Sequence, residues 1–180
     1  SVFNERPRDL TLSPDGSLLW VRTLSGLKLF DPASMKEVAN VAVKGGGTFA
    51  GLVAEAKSVW VTSNDDKLQR FGYVNGKLVQ ELSFDLPKGS RPSGFTRVDA
   101  NHLIVCLTNL NELGLLDLRQ KRVTKRFKVG VAPFEVAYDR ATGEVWTSCL
   151  GGRLPARGAR TSKSADTDVE VDERGNAAQG

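Results

Sequence analysis

The basic residues that are best suited to bind a ligand lie in one short segment near the C-terminus. This segment is rich in glycine and small polar residues, and its candidate ligand contacts are Gly151, Gly152, Arg153, Arg157, Arg160 and Lys163. Glycine lets a ligand approach the backbone closely, and arginine offers a planar fork of N–H donors to a phosphate or a carboxylate. The sequence therefore predicts either a solvated basic loop or a contact site for an anionic small molecule or a partner protein domain.

Groups for acid–base, nucleophilic or metal chemistry are sparse. The single histidine, His102, falls in a predicted hairpin turn, where it cannot serve as the base for a distant serine or cysteine. We expect Cys106 and Cys149 to be free, partly buried thiols, although a disulfide is an alternative. The sequence thus predicts no catalytic residue, no protein-bound metal and no cofactor for this chain.

A short acidic run follows the basic segment. Its carboxylates recur at every second residue and would share one face of a strand: Asp166, Asp168, Glu170 and Asp172. We expect a solvated acidic face opposite the basic segment. A cation site is the alternative, because carboxylates and backbone carbonyls can complete a Ca²⁺ shell.

The overall charge excludes some partners. The chain carries 25 basic and 21 acidic residues, and most basic residues alternate with apolar ones instead of forming one stripe. A nucleic-acid partner is therefore not expected. No apolar run approaches the roughly 20 residues that a membrane-spanning helix needs, so no membrane span is expected.

The elements that must position these residues repeat about every 42 residues. Each repeat begins with an apolar residue after a Pro or Gly, and these anchors are Leu10, Leu52, Phe95 and Val136. A second apolar run follows a turn and is centred on Trp20, Trp60, Ile104 or Trp146. Repeats of this length built from short strands are typical of β-propeller blades. We expect the three tryptophans to lie in the core between blades.

We therefore predict an all-β fold, a β-propeller of four-stranded antiparallel blades with about four blades present. Residues 1–180 would form a single partial propeller, with blades at approximately 6–46, 47–90, 91–131 and 132–180, the last incomplete. A propeller closes a ring of roughly four to eight blades. An uncapped array exposes apolar surface at its ends, so we expect a longer protein with further blades or a C-terminal domain.

The fourth repeat departs from the others. The distance from the second-strand anchor to the third-strand aspartate is 11 residues from Trp20 to Asp31 but 26 from Trp146 to Asp172. This difference predicts an inserted loop at 151–165. The loop would share a face with the connection that contains Arg91, which we add to the candidate contacts. A long loop on a rigid scaffold is a usual place for binding.

Several motifs resemble the YVTN-repeat β-propellers. The second-strand run Val59-Trp60-Val61-Thr62-Ser63, its counterpart at 145–148 and the turn at 13–16 carry this resemblance. The block at 151–153, with 129–134 and 169–172, is similar to propellers that precede an alkaline-phosphatase-like phosphoesterase domain in bacterial proteins. The resemblance implies a seven-bladed ring and a secreted, periplasmic or envelope-associated location.

Two functions remain open from the sequence. The first is a non-enzymatic docking platform within a larger bacterial protein. The alternative is the propeller portion of a phosphoesterase- or lactonase-type hydrolase, to which this chain contributes substrate-positioning residues. The two would be distinguished by whether a domain rich in metal ligands follows further repeats.

Overall fold

The computed structural model describes residues 5–164 and 167–177, and strands dominate these ranges. The chain forms two compact units, Ser1–Leu86 and Pro87–Gly180. Three four-stranded antiparallel sheets confirm the predicted fold class of a partial β-propeller. Within the described ranges the only helical segment is a single 3₁₀ turn, Thr108–Leu110.

The first unit contains two sheets whose strands follow chain order. The strands of its first sheet are β1 Pro7–Leu12, β2 Leu19–Thr23, β3 Gly26–Asp31 and β4 Lys36–Ala42. The strands of its second sheet are β5 Gly47–Ala54, β6 Ser58–Ser63, β7 Lys67–Val74 and β8 Lys77–Asp85. Neighbouring strands along the chain are neighbours in each sheet, so every connection within a sheet is a hairpin.

Local residue chemistry explains the hairpin turns. Between β7 and β8, Asn75 and Gly76 have φ of 50° and 77°, the left-handed values that a tight two-residue hairpin turn needs at both positions. Aspartates at the ends of the third strands also help to form the turns that follow. Asp31 accepts the N–H of Ala33 at 2.8 Å, and Asp117 accepts that of Arg119 at 2.8 Å.

The two sheets of the first unit bury a common apolar core. Trp20 is fully buried and packs with Leu27 and Leu29 of its own sheet against the second sheet. The second sheet covers this surface with Val59 and Val61 of β6, Phe71 and Tyr73 of β7, and Leu78 of β8. This is the packing expected between adjacent propeller blades, in which the apolar face of one sheet lies on the next.

A buried arginine also joins these two sheets. Arg22 donates from Nη2 to the backbone oxygens of Gly46, at 2.8 Å, and Thr62, at 3.1 Å. Burial lowers the pKa of Arg22 to about 10, so the guanidinium stays charged at neutral pH. Hydrogen bonds from a charged donor to two carbonyls fix the relation between β2 and β6.

The second unit contains one complete sheet and two short hairpins. The complete sheet consists of β9 Pro92–Arg97, β10 His102–Leu107, β11 Glu112–Asp117 and β12 Arg122–Lys128. The hairpins are β13 Pro133–Tyr138 with β14 Val145–Cys149, and β15 Thr161–Ser164 with β16 Thr167–Glu170.

The fourth repeat does not assemble as the periodicity suggested. A third strand was expected at 169–172, but β16 starts at Thr167 and pairs with β15 instead of continuing the sheet of β14. Part of the predicted loop at 151–165 is therefore strand. Lys163 lies directly opposite Asp168 in this hairpin, and opposite charges in a cross-strand pair favour this pairing.

Trp146 is a second correction. The prediction that the tryptophans are core residues is confirmed for Trp20 and Trp60, which are 0% and 2% exposed. It is wrong for Trp146, which is 66% exposed. The physical reason is that the described residues place no further sheet over the face of β14 that carries this indole.

Candidate functional site

The two glycines of the predicted contact segment hold a tight turn after β14. Gly151 donates its N–H to the Val131 carbonyl at 3.0 Å, and the Val131 N–H donates to the Gly152 carbonyl at 2.8 Å. A Cβ at position 151 would lie 2.6 Å from Cγ1 of Val131. Val131 of this chain therefore occupies the space beside these glycines that a ligand was expected to approach.

Two cations of the segment, Arg153 and Lys163, face carboxylates. Arg153 Nη2 lies 3.3 Å from Oε1 of Glu170, and Lys163 Nζ lies 3.0 Å from Oδ1 of Asp168. Arg160 donates to the backbone oxygen of Glu173 at 3.1 Å. Of the predicted acidic face, Asp168 and Glu170 thus lie opposite basic residues of the segment. Because local carboxylates compensate two of the charges, the segment offers less positive potential than its composition indicates.

Arg157 and Arg91 are placed differently. Arg157 is exposed in the turn that precedes β15. Arg91 is also exposed and has a φ of 40°, in the left-handed region, immediately before β9 begins. The turn before Arg91 contacts the 3₁₀ turn, because the Asn109 N–H donates to the Ser90 carbonyl at 3.0 Å.

The acidic run does not assemble as a cation site. Asp168 and Glu170 are engaged with Lys163 and Arg153, and Asp172 accepts the backbone N–H groups of Arg174 and Asn176 at 2.9 and 2.8 Å. The Asn176 hydrogen bond in particular lowers the pKa of Asp172. Asp166 lies outside the described residues. In the described ranges no group of three or more His, Cys, Asp or Glu side chains is arranged so that it could hold a metal ion.

A cavity of about 380 Å³ lies beside the β15–β16 hairpin in the second unit. Of the predicted contacts, only Gly151 and Lys163 belong to its described lining. Its polar lining comes from the 3₁₀ turn and from the hairpin: Thr108, Asn109, Ser162, Ser164 and Thr167. Its apolar lining comes from Leu150 in the turn after β14 and Ala132 beside it, and from β16 and the residues after it, with Val169, Val171 and Ala177.

The walls of this cavity are held by local bonds. Thr108 donates its hydroxyl to the Pro133 carbonyl at 2.9 Å, and Leu150 donates its N–H to the Ala132 carbonyl at 3.0 Å. The Leu150 side chain is nevertheless 68% exposed. A rigid wall that carries an exposed leucine beside a row of hydroxyl groups suits contact with a protein surface.

Sequence reasoning missed the exposure of Leu150. It considered the segment through its glycines and arginines, whereas the residue directly before them carries a largely exposed apolar side chain. The available signal was a leucine directly before two glycines, outside the alternation of β14. Its exposure depends on how residues 131–132 and 150–152 pair, which the local sequence does not show.

The two cysteines and the single histidine are not among the described lining residues of this cavity. Cys106 and Cys149 are free thiols, as expected. Burial raises the pKa of Cys106 to about 12, so a thiolate is disfavoured at neutral pH. His102 Nδ1 lies 2.9 Å from Oδ2 of Asp99, and its Nε2 lies 3.9 Å from Oδ2 of Asp117.

The fold and these surfaces place the chain in the class of partial β-propellers. No family model and no curated protein matches the sequence. Solved structures match the fold at low identity. A chain of a Mitotic Checkpoint Complex structure shares 18% identity with a TM-score of 0.64, and the match covers 78% of this chain and 43% of that one.

Two further solved structures match the same fold. The β-propeller domain of Myceliophthora thermophila Cps50 (Swd1) shares 13% identity with a TM-score of 0.59, over 79% of this chain and 49% of that one. A functionally unknown protein from Desulfotomaculum acetoxidans DSM 771 shares 15% identity with a TM-score of 0.67, over 82% and 50%. The chain thus spans about half the length of the structures that it matches. The described residues include no helix long and apolar enough to cross a bilayer.

Proposed function

We propose that this chain is a protein-binding scaffold and that a partner protein docks at the cavity between the Leu150 turn and the β15–β16 hairpin. The observation that carries the proposal is the exposed Leu150 side chain on a rigid, mixed polar and apolar wall. The propeller fold supports it, because propellers present loops on a stable frame.

The pairing of charges favours a protein over an anionic small molecule. An anion at this segment would compete with Glu170 for Arg153 and with Asp168 for Lys163. A protein surface can instead bury Leu150 and hydrogen-bond to the exposed hydroxyls of Ser162 and Ser164 while both ion pairs persist. Apolar contact surrounded by hydrogen bonds is the usual composition of such interfaces.

The larger protein, its further blades and its bacterial envelope location remain proposals that rest on the sequence resemblance. The YVTN relationship and the hydrolase alternative also remain predictions. The comparisons support a propeller fold of the broader kind, with identities of 13–18% in the structures described above.

The test places a photo-crosslinking amino acid at position 150, with position 82 as the matched control. Leu82 is also an exposed leucine, but it lies on β8 in the first unit. We expect a discrete protein adduct from position 150 that is absent from position 82. Equal labelling at both positions would contradict the proposal.

The partner identified in this way is then titrated against purified variants. We expect Leu150→Asp to weaken binding at least tenfold, about 1.4 kcal/mol, and Leu82→Asp to leave it unchanged. Inorganic phosphate is titrated in parallel. Phosphate binding that is lost in Arg153→Ala, together with unchanged partner affinity in Leu150→Asp, would favour the anion site instead.

A further inference from the structure

The outer strand of the complete sheet in the second unit, β12, and the turn before it carry the densest positive charge of the chain. Six of the ten residues from 119 to 128 are lysine or arginine, and none is acidic: Arg119, Lys121, Arg122, Lys125, Arg126 and Lys128. All six residues are exposed. A run of exposed like charges creates a positive surface potential that attracts groups of the opposite sign.

Local carboxylates compensate little of this charge. Arg126 forms an ion pair with Glu112 of β11. Arg119 and Arg122 donate to the neutral oxygens of side-chain amides, at 2.9 and 2.8 Å. Within the described part of the chain, no carboxylate forms an ion pair with the three lysines of the run, Lys121, Lys125 and Lys128. Most of the positive charge is therefore available to a ligand.

One edge of β12 has no strand beside it. β12 pairs with β11 on one side, and among the strands that the structure describes none pairs with its other edge. β4 and β8 also end their sheets in this way, although the chain continues through further sheets beyond both. An open outer edge is therefore a regular feature of these four-stranded sheets. Such an edge presents N–H and C=O groups to which an extended segment can add.

The charge of β12, in contrast, is not shared by the other outer strands. β4 carries Lys36 and Glu37, and β8 carries Lys77 together with Glu81 and Asp85. β12 carries four cations and no acid. Charged residues on an edge strand protect it from unwanted pairing, and β4 and β8 have this protection with one lysine each. The excess of positive charge on β12 needs a further reason, which a ligand of opposite charge supplies.

The strand register defines the part of the edge that a ligand can follow. The pairing of β11 with β12 shifts between Leu115 and Leu116, and it is regular from Lys125 to Lys128. Side chains alternate along a strand, so Arg126 and Lys128 lie on one face of this segment and Lys125 lies on the other. A strand added to this edge would therefore meet cations on both of its faces.

We propose that the outer edge of β12 binds an acidic, extended segment of a partner protein, which adds antiparallel to residues 125–128. Main-chain hydrogen bonds hold the segment, and its carboxylates lie opposite Lys125, Arg126 and Lys128 in cross-strand pairs. A peptide strand fits better than a nucleic acid, because phosphates offer no row of N–H donors to the carbonyl groups of an edge.

This surface is separate from the cavity at Leu150. The described lining of that cavity includes no residue of β12. The inference therefore does not depend on the docking proposed there, and the two surfaces can be tested independently.

The test measures the binding of a fluorescent peptide to the whole protein. The centre of the peptide reads Thr-Glu-Val-Glu-Glu-Thr, which in an antiparallel pair places glutamates opposite Lys128, Arg126 and Lys125. Fluorescence anisotropy gives the affinity, and amide hydrogen exchange locates the peptide. The control peptide has proline in place of valine, so its charge is the same but it lacks an N–H and disfavours a strand. A single-stranded DNA oligonucleotide of the same charge is the nucleic-acid probe.

We expect saturable binding of the glutamate peptide, slower amide exchange in β12 and at least tenfold weaker binding of the proline peptide. The protein variant Lys125→Glu/Lys128→Glu should also bind the glutamate peptide at least tenfold more weakly, because two attractive cross-strand pairs become repulsive.

The matched protein control is Lys36→Glu/Lys77→Glu. It has the same net charge and changes exposed lysines on the outer strands β4 and β8. It should bind the glutamate peptide as the wild-type protein does at physiological ionic strength, where salt screens charges outside the site. Circular dichroism verifies that both variants fold.

Four results would overturn the proposal. The first is the absence of saturable binding. The second is equal affinity for the glutamate and proline peptides, because binding would then need charge alone. The third is an equal loss of affinity in the variant and in its matched control. The fourth is tighter binding of the oligonucleotide than of the glutamate peptide, lost in Lys125→Glu/Lys128→Glu, because a nucleic acid would then be the ligand of β12.

Discussion

The contrast between Trp20 and Trp146 gives the sharpest prediction about stability. Both tryptophans occupy the same position in their repeats, yet Trp20 is 0% exposed and Trp146 is 66% exposed. Replacing a buried tryptophan with alanine costs about 3–5 kcal/mol in the free energy of unfolding. We expect this loss for Trp20→Ala. Trp146 buries about a third of its surface, so Trp146→Ala should cost roughly 1–1.5 kcal/mol.

Urea unfolding followed by circular dichroism measures both changes. The far-ultraviolet signal is suitable because the transition of each variant is fitted to its own baselines, and linear extrapolation gives the free energy in water. Acrylamide quenching gives an independent measure of exposure in two variants, one that retains only Trp20 and one that retains only Trp146. Equal losses for the two substitutions, with equal quenching, would refute this account and restore Trp146 to the core.

Three further predictions follow from local contacts. Hydrogen bonds from Ser13, at 2.6 Å, and Ser17 lower the pKa of Asp15 from 3.8 to about 2. A depressed carboxyl pKa contributes stability above the unfolded value, and this contribution is lost as the pH falls through the folded value. Acid titration of stability should therefore flatten between about pH 4 and 2 in Asp15→Asn, and an unchanged slope would contradict the assignment. Cys106, whose pKa is raised to about 12, should react with a thiol reagent at pH 8 only after unfolding. Rapid labelling of native Cys106 would show that it is accessible. Gly151→Ala should lose about 1–3 kcal/mol of stability through the close contact with Val131, and a wild-type denaturation midpoint would rule that contact out.

The repeated hairpins could be predicted because their signals are local. Apolar alternation, turn residues such as Asn75 and Gly76, and a constant spacing mark each strand pair within about 20 residues. The resulting three four-stranded sheets match the predicted class. The third-strand aspartates follow the same logic, since Asp31 and Asp117 accept bonds from residues two positions further along.

The fourth repeat could not be predicted in the same way. β15 has no apolar alternation, and all four of its residues, Thr161–Ser164, are exposed. Its pairing with β16 is expressed in the opposition of Lys163 and Asp168, a cross-strand relation that the period does not encode. The strand signal for β16 was visible, but its partner was not.

The contact segment shows the same limit. Its glycines and arginines indicated ligand binding, but Gly151 is needed against Val131, which lies 20 positions earlier in the sequence. Asp168 and Glu170 could be placed opposite cations from the sequence, because alternation along a single strand is a local property. The position of Leu150 depends on the turn that these glycines form, so only the folded chain reveals it.

Hydrogen-exchange footprinting of the identified partner on this chain tests the central claim most directly. If the cavity at Leu150 is the docking site, the partner should slow amide exchange at 150–151 and in β15 and β16, and leave exchange in β6 unchanged. Protection confined to other strands, with no change at 150–151, would contradict the proposed scaffold site.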